Sequence, residues 1–140
     1  MPQAFPEQAK ELLEADIVLG NKNNGDILDL INEYNTSKNR VLSIKDHASG
    51  DAFSDCSINK FNERVRAFVK IEDGCDRFCS YCIIPMSRGR VRSKPLSDLE
   101  REIKNLAENG IKEIVLVGIN LSAYGKGEDF NIVDAVKLCA

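Results

Sequence analysis

The second half of this 140-residue chain alternates predicted strands with predicted helices, and this order constrains the fold more than any other feature. Residues 65–71 read as a strand, and residues 114–118 form a short apolar run that ends in glycine. A helical pattern separates them, and a second one begins near Phe130. Strands that alternate with helices build parallel sheets. We therefore predict an α/β fold that opens a barrel or a doubly wound sheet.

The helix between the two strands has predicted boundaries. Ser97 and Glu100 have the spacing of a capping box, in which the two side chains satisfy amide donors at a helix start. Leu99 and Ile103 begin its buried face, and Gly110 suits the left-handed residue that follows many helices.

The first 62 residues have a different pattern. Residues 6–14 and 26–34 are predicted helices, and residues 16–20 are a predicted buried strand. Polar, turn-prone stretches follow, and these are typical of a linker. We predict three parts: residues 1–34 as the end of one α/β domain, residues 35–62 as a linker, and residues 63–140 as the start of a second domain. On this interpretation the chain is a piece of a larger protein.

Composition and charge limit the partners and the compartment. No apolar run approaches the roughly 20 residues that cross a bilayer, and the N-terminus has no signal-peptide pattern, so we expect a cytoplasmic protein without a membrane partner. Residues 60–94 carry nine basic and four acidic side chains. This local excess of positive charge indicates either an anionic partner or a solvated basic face.

Three of the five cysteines lie within eight residues, at Cys75, Cys79 and Cys82. An odd set so clustered favours reduced thiols on a metal over a disulfide framework. Three thiolates can hold three corners of an iron–sulfur cluster and leave one iron open. A zinc site is the alternative, with His47 or Cys56 as fourth ligand. Three unrelated structural cysteines are a further alternative.

The cysteine motif and its surroundings carry a family resemblance. Cys75 through Cys82 match the C-x3-C-x-aromatic-C signature of the radical S-adenosylmethionine enzymes. Residues 73–93 and 116–125 resemble the tRNA methylthiotransferases, and within them the branch that acts on threonylcarbamoyladenosine next to the anticodon. The resemblance is strong over residues 64–140. Residues 1–34 resemble the end of the family's N-terminal domain less specifically.

The resemblance implies a fold, cofactors and partners. It implies the end of an N-terminal α/β methylthiotransferase domain followed by the first βα units of a radical S-adenosylmethionine partial TIM barrel. Cys75, Cys79 and Cys82 would ligate a 4Fe–4S cluster whose free iron binds S-adenosylmethionine. Reductive cleavage of that cofactor would give a radical that removes a hydrogen from the nucleobase. The partners would be the anticodon stem-loop of a tRNA and a reductant such as flavodoxin or ferredoxin.

The resemblance also implies cofactor-binding residues. Tyr81 would lie beside the adenine, and Gly118 and Asn120 would lie at the carboxyl end of the second strand, where parallel α/β folds place their ligands. A plain strand-end turn is the alternative for the last two. Four cations share one side of an extended segment, where they would neutralise the cofactor carboxylate or tRNA phosphates, or form a solvated edge: Arg88, Arg90, Arg92 and Lys94. Arg88 is the preferred site residue.

One departure from the family limits the expected activity. Family members carry a second cluster on three cysteines of the N-terminal domain, whereas Cys56 is the only cysteine upstream of Cys75. We therefore expect that this chain alone does not complete methylthiolation. The alternative functions are another radical S-adenosylmethionine enzyme and a non-catalytic zinc-binding or RNA-binding module.

Overall fold

The computed structural model describes residues 2–48, 50–54 and 65–140. The chain divides into two compact units. Met1–Ser49 and Arg77–Gly89 form the first unit, and Gly50–Asp76 and Arg90–Ala140 form the second. The second unit contains both strands of the predicted strand–helix–strand order.

The first unit is built on a short parallel strand pair. Its elements are helix α1 (Pro6–Lys10), strand β1 (Ile17–Leu19), a 3₁₀ turn (Asn24–Asp26), helix α2 (Ile27–Ser37), strand β2 (Val41–Ser43) and helix α3 (Ile84–Arg88). Strands β1 and β2 pair in parallel with Ile17 opposite Val41. Helix α2 is the crossover between them, as parallel neighbours require.

Arg40 organises the chain that follows α1. Its guanidinium donates to four backbone carbonyls, those of Ala9 (3.1 Å), Lys10 (2.8 Å), Leu12 (2.9 Å) and Ala15 (3.0 Å). These are carbonyls of the end of α1 and of the turns after it, which no continuing helix satisfies. One side chain from the start of β2 therefore holds the whole segment.

Replacing Arg40 by methionine will destabilise the first unit by about 2 kcal/mol, because several carbonyls lose a charged donor at once. The measurement is the urea midpoint followed by far-ultraviolet circular dichroism. Lys10→Met is the matched control, since among the described residues its ammonium pairs with Glu7 at the surface and such pairs contribute little. Equal losses in the two variants would show that the Arg40 contacts contribute nothing.

The second unit contains the remaining elements. They are strands β3 (Arg66–Lys70), β4 (Glu72–Asp73) and β5 (Arg92–Ser93), helix α4 (Leu96–Glu108), strand β6 (Glu113–Val117), a 3₁₀ turn (Leu121–Ala123) and helix α5 (Ile132–Cys139). Strands β3 and β6 pair in parallel from Arg66 opposite Glu113 to Lys70 opposite Val117. Strands β4 and β5 form a short antiparallel pair.

The core of the second unit lies between the parallel pair and its helices. Its buried members are Ala67, Val69, Ile71, Leu99, Leu106, Ile111, Tyr124 and Ala135. Residues 114–117 of β6 are only half-buried, although the sequence predicts a fully buried strand there. Among the described residues, β6 pairs with β3 alone. No helix in the described part of the chain is long and apolar enough to span a bilayer.

The predicted α/β character is confirmed, and one local prediction is wrong. Helix α4 begins at Leu96 with Pro95 as its N-cap, and no side chain caps it. Ser97 therefore lies inside the first turn and cannot act as the cap of the predicted box. A capping box occurs instead at α5, where Asn131 accepts from the Val133 amide and Asp134 accepts from the Asn131 amide.

The other differences concern element boundaries. The predicted helix over residues 6–14 ends at Lys10, where the contacts of Arg40 replace helical hydrogen bonds. Residues 41–43, predicted as linker, form β2, so the sheet of the first unit extends beyond residue 34. The three predicted domain ranges stay a prediction. The predicted C-terminal helix is confirmed, with Cys139 as its last residue.

Candidate functional site

The cysteine motif follows directly from the carboxyl end of β3. Strand β4 continues that direction and pairs with β5, with Asp73 opposite Arg92. The Asp73 carboxylate accepts a hydrogen bond from the Gly74 amide at 2.9 Å. Gly74 has φ +86°, a conformation that glycine adopts without strain. This glycine turns the chain out of the sheet immediately before Cys75.

The three cysteines of the motif carry free thiols. Cys75 and Cys82 are half-buried, and Cys79 is exposed. The Cys82 amide donates to the Cys79 carbonyl at 2.9 Å, so these two residues span one tight turn. Phe78 precedes that turn with φ +46°. The local backbone thus brings Cys79 and Cys82 within one turn of each other.

The three thiols of the motif are divided between the two units. Cys75 belongs to the second unit, and Cys79 and Cys82 belong to the first. Over residues 2–48, 50–54 and 65–140, no three His, Cys, Asp or Glu side chains form a group that could hold a metal ion. Three reduced thiols so near in sequence still fit an iron–sulfur cluster as donors. The ligand set stays a prediction.

Asp76 lies directly after Cys75, and its carboxylate contacts other residues of the second unit. Its Oδ1 accepts from the Val91 amide at 3.3 Å, and its Oδ2 accepts from the Lys126 ammonium at 2.8 Å. Arg90 lies 3.7 Å from the same carboxylate. The hydrogen bond from Lys126 holds the pKa of Asp76 below its ordinary value. Residue 76 is therefore tied to residue 91, where the chain returns to the unit.

Gly118 and Asn120 lie at the predicted edge, just after the carboxyl end of β6. The Asn120 amide donates to Oε2 of Glu72 at 2.6 Å. Glu72 is fully buried, and burial raises the pKa of its carboxyl. The Asn120 hydrogen bond opposes that shift, and the charge of Asp73 adds to it. Glu72 thus joins the end of β3 to the segment after β6.

The remaining predicted residues lie in the first unit or outside the described chain. The side chain of Tyr81 is 91% exposed, and Arg88 ends helix α3. His47, a candidate zinc ligand, has Nε2 3.3 Å from the Ser87 carbonyl. Cys56, the other candidate, lies outside the described residues. The cofactor roles of Tyr81, Arg88, Gly118 and Asn120 stay predictions.

The four cations of residues 88–94 do not form one exposed row of positive charge. Arg92 lies 3.6 Å from the buried Asp73 carboxylate, and the Arg90 guanidinium is near Asp76. Lys94 is almost completely buried and donates to Glu102 at 2.5 Å. Arg88 is helical, so it does not share the extended geometry of the others. Three of the four cations thus contact carboxylates of their own unit.

Sequence reasoning missed the two acidic residues that organise this site, Glu72 and Asp76. Their signal was their position on either side of Cys75, three residues before it and one residue after it. Their partners, Asn120 and Lys126, are 48 and 50 residues away in sequence. Pattern alone does not connect residues so far apart.

Comparison with known proteins first defines the class. Residues 69–137 match the model of the radical SAM superfamily, where SAM is S-adenosylmethionine. The matched region begins in β3, includes the cysteine motif and ends in α5. It therefore covers most of the second unit together with the cysteine loop.

Full-length relatives then narrow the class to a family. A threonylcarbamoyladenosine tRNA methylthiotransferase of Aquifex aeolicus is 34% identical over 135 residues, covering 93% of this chain and 32% of the relative. A tRNA-2-methylthio-N(6)-dimethylallyladenosine synthase of Pseudothermotoga lettingae is 35% identical over 126 residues, covering 85% and 27%. A ribosomal protein uS12 methylthiotransferase of Clostridium perfringens is 34% identical over 131 residues, covering 89% and 28%. The chain belongs to the radical SAM methylthiotransferase family.

The chain spans about a third of the length of the curated relatives it matches. The named activities of these relatives differ in their substrate, which is a modified adenosine in tRNA for some and a ribosomal protein for another. Family membership therefore places this chain among relatives that are named as methylthiotransferases. It does not select one substrate, because the names of the relatives give more than one.

Proposed function

We propose that this chain supplies the cofactor-binding part of a tRNA methylthiotransferase that modifies threonylcarbamoyladenosine next to the anticodon. The observation that carries the proposal is the coincidence of the radical SAM match with the cysteine motif at the carboxyl end of β3. The choice of substrate is supported by the resemblance of residues 73–93 and 116–125 to the threonylcarbamoyladenosine branch, and by relatives that are named as threonylcarbamoyladenosine tRNA methylthiotransferases. The second unit would be the start of a partial barrel, and the reaction would take place in the cytoplasm.

Each proposed site residue has a stated task. Cys75, Cys79 and Cys82 would hold a 4Fe–4S cluster, which with S-adenosylmethionine and one electron from a flavodoxin or ferredoxin would supply a radical for hydrogen removal. The backbone of Gly118 would lie beside the cofactor at the carboxyl end of β6, and Asn120 offers an amide side chain there.

Two further residues complete the proposed cofactor contacts. Tyr81 is exposed enough to stack on an adenine, and stacking on an aromatic face is a common way to bind a base. Arg88 would face the cofactor carboxylate with a planar, permanently charged guanidinium. The anticodon stem-loop would meet the positively charged stretch that surrounds the motif.

The proposal is tested by anaerobic reconstitution of the chain with iron and sulfide, followed by reduction in the presence of S-adenosylmethionine. We expect a brown protein that releases 5′-deoxyadenosine, measured by mass spectrometry. A colourless protein that binds zinc and releases none would favour the non-catalytic zinc-binding alternative.

Substrate choice is tested separately with synthetic anticodon stem-loops. A stem-loop carrying threonylcarbamoyladenosine should increase the release of 5′-deoxyadenosine, because a bound substrate consumes the radical. Stem-loops that carry dimethylallyladenosine or plain adenosine are the controls. A larger increase with dimethylallyladenosine would move the assignment to the other tRNA branch.

A further inference from the structure

Glu72 is a buried acidic residue that none of the proposed catalytic steps uses. It follows Ile71 at the end of the β3–β6 pair and is completely buried. Its Oε2 accepts the backbone amide of Asn120 at 2.6 Å. Its Oε1 is buried and has no hydrogen-bond partner among the described residues. The carboxyl therefore contacts the segment after β6, where the amides of Asn120 and Ile119 both oppose the rise in its pKa that burial causes.

Gly118 is shaped to this carboxyl. A Cβ atom at residue 118 would lie 2.8 Å from Oε2 and 2.9 Å from Cβ of Glu72, and 3.0 Å from Cδ2 of Leu121. Real Cβ atoms do not approach other atoms so closely. The missing side chain of Gly118 thus gives the space that Glu72 fills. Packing and hydrogen bonding act on the same three residues after β6.

The free-energy cost of burying the Glu72 carboxyl indicates that this residue has a specific role. A buried carboxyl is costly when it has no close counter-charge. The charge of Arg92 acts on Glu72, but its guanidinium lies 3.6 Å from the Asp73 carboxylate, with which it is paired. An apolar side chain of similar volume would fill the site at a lower cost. An apolar side chain would provide no acceptor for the Asn120 amide. That amide lies outside any strand or helix, so no regular secondary structure supplies an acceptor in its place.

We propose that Glu72 is a positioning residue that fixes residues 118–120 in the conformation needed to receive S-adenosylmethionine. The inference rests on the proposed function, in which Gly118 and Asn120 contact that cofactor. Glu72 itself does not touch the cofactor. It acts through the Asn120 amide and through its contact with Gly118.

The first test measures amide hydrogen exchange at Asn120 by nuclear magnetic resonance in the 140-residue chain. Glu72→Met keeps the side-chain volume and removes the acceptor, so Asn120 should exchange at least about tenfold faster, the equivalent of one lost hydrogen bond. Glu72→Gln keeps an acceptor oxygen and should restore protection. The Ile71 amide, which donates to Val117 at 2.9 Å, reports global opening in each variant.

A matched control separates a general loss of stability from the proposed role. Glu102 is the other buried glutamate of the same unit, and it contacts Lys94 rather than Asn120. Glu102→Met should accelerate the Asn120 and Ile71 amides by the same factor, because it lowers only the global stability. If Glu72→Met also changes both amides equally, Glu72 does not fix the segment and the proposal is overturned.

The second test measures S-adenosylmethionine affinity of the reconstituted chain by isothermal titration calorimetry. We expect about a tenfold weaker affinity for Glu72→Met, with Glu72→Gln close to the wild-type value. Faster Asn120 exchange with unchanged affinity would overturn the positioning role. If the wild-type chain itself binds no S-adenosylmethionine, the proposed function fails, and the exchange result alone decides whether Glu72 fixes the segment.

Discussion

Replacing Cys82 by alanine will abolish assembly of the iron–sulfur cluster in the reconstituted chain. Iron and sulfide content and the broad absorbance near about 400 nm should fall below about a tenth of the wild-type values, because two thiolates do not hold a cubane cluster. Release of 5′-deoxyadenosine should disappear with the cluster. The variant should keep the wild-type circular dichroism spectrum, since Cys82 lies in a half-buried turn and makes no disulfide.

Cys139→Ala is the matched control for this prediction. Cys139 is also a free, half-buried cysteine, but it ends helix α5 and lies far in sequence from the motif. Burial raises the pKa of its thiol, so it has the character of a packed residue and not of a metal-binding thiolate. Full cluster content in Cys82→Ala, or a loss only in Cys139→Ala, would refute the ligand assignment.

The largest effect on stability is expected at Gly125, where alanine should prevent stable folding of the second unit. Gly125 has φ +78°, and a Cβ there would lie 1.9 Å from the carbonyl oxygen of Phe130 and 3.0 Å from Cα of Asn131. Both obstacles are backbone atoms, so no side-chain rotation relieves the clash. We expect a loss above about 4 kcal/mol, which exceeds the usual effect of a single substitution and approaches the total stability of a small domain.

Gly127→Ala is the control that isolates the clash from the backbone conformation. Gly127 has a similar φ of +85°, but a Cβ at that position meets nothing within 4 Å. Its replacement should cost only about 1 kcal/mol, the usual penalty for alanine at positive φ. Thermal denaturation followed by circular dichroism compares the two variants. Similar losses in both would show that the close approach of Gly125 to Phe130 is absent in solution.

The sequence predicted those features that depend on local pattern or on a specific motif. The parallel strands β3 and β6, the intervening helix and the α/β character follow from periodicity and are confirmed. The family follows from the cysteine motif and its flanking residues, and the comparisons confirm it. These signals lie within a few neighbouring residues, which is why pattern analysis detects them.

Features that depend on distant partners were not predicted. Ser97 has the right spacing for a capping box, but the Lys94 amide binds the Ile71 carbonyl at 2.7 Å and the helix starts directly after Pro95. The four contacts of Arg40 and the Glu72–Asn120 hydrogen bond depend equally on tertiary placement. Strand β2 follows Arg40 and ends at Ser43, so it lacks the uninterrupted apolar run by which β1 is recognised.

The contacts of Asp76 also affect how strongly the stability of the second unit depends on the length of the segment 77–89. Residues 77–89 leave the second unit and return to it between two neighbouring interactions. These are the β4–β5 strand pair and the hydrogen bond that the Val91 amide donates to Asp76. For a loop whose ends are already joined, the entropy of closure rises slowly, by about 0.6 kcal/mol for each doubling of length. An insertion at Gly89, directly after helix α3, should therefore cost the second unit little closure entropy. The stability of the second unit should accordingly depend on the residues at the two ends of this stretch and only weakly on the length of chain between them.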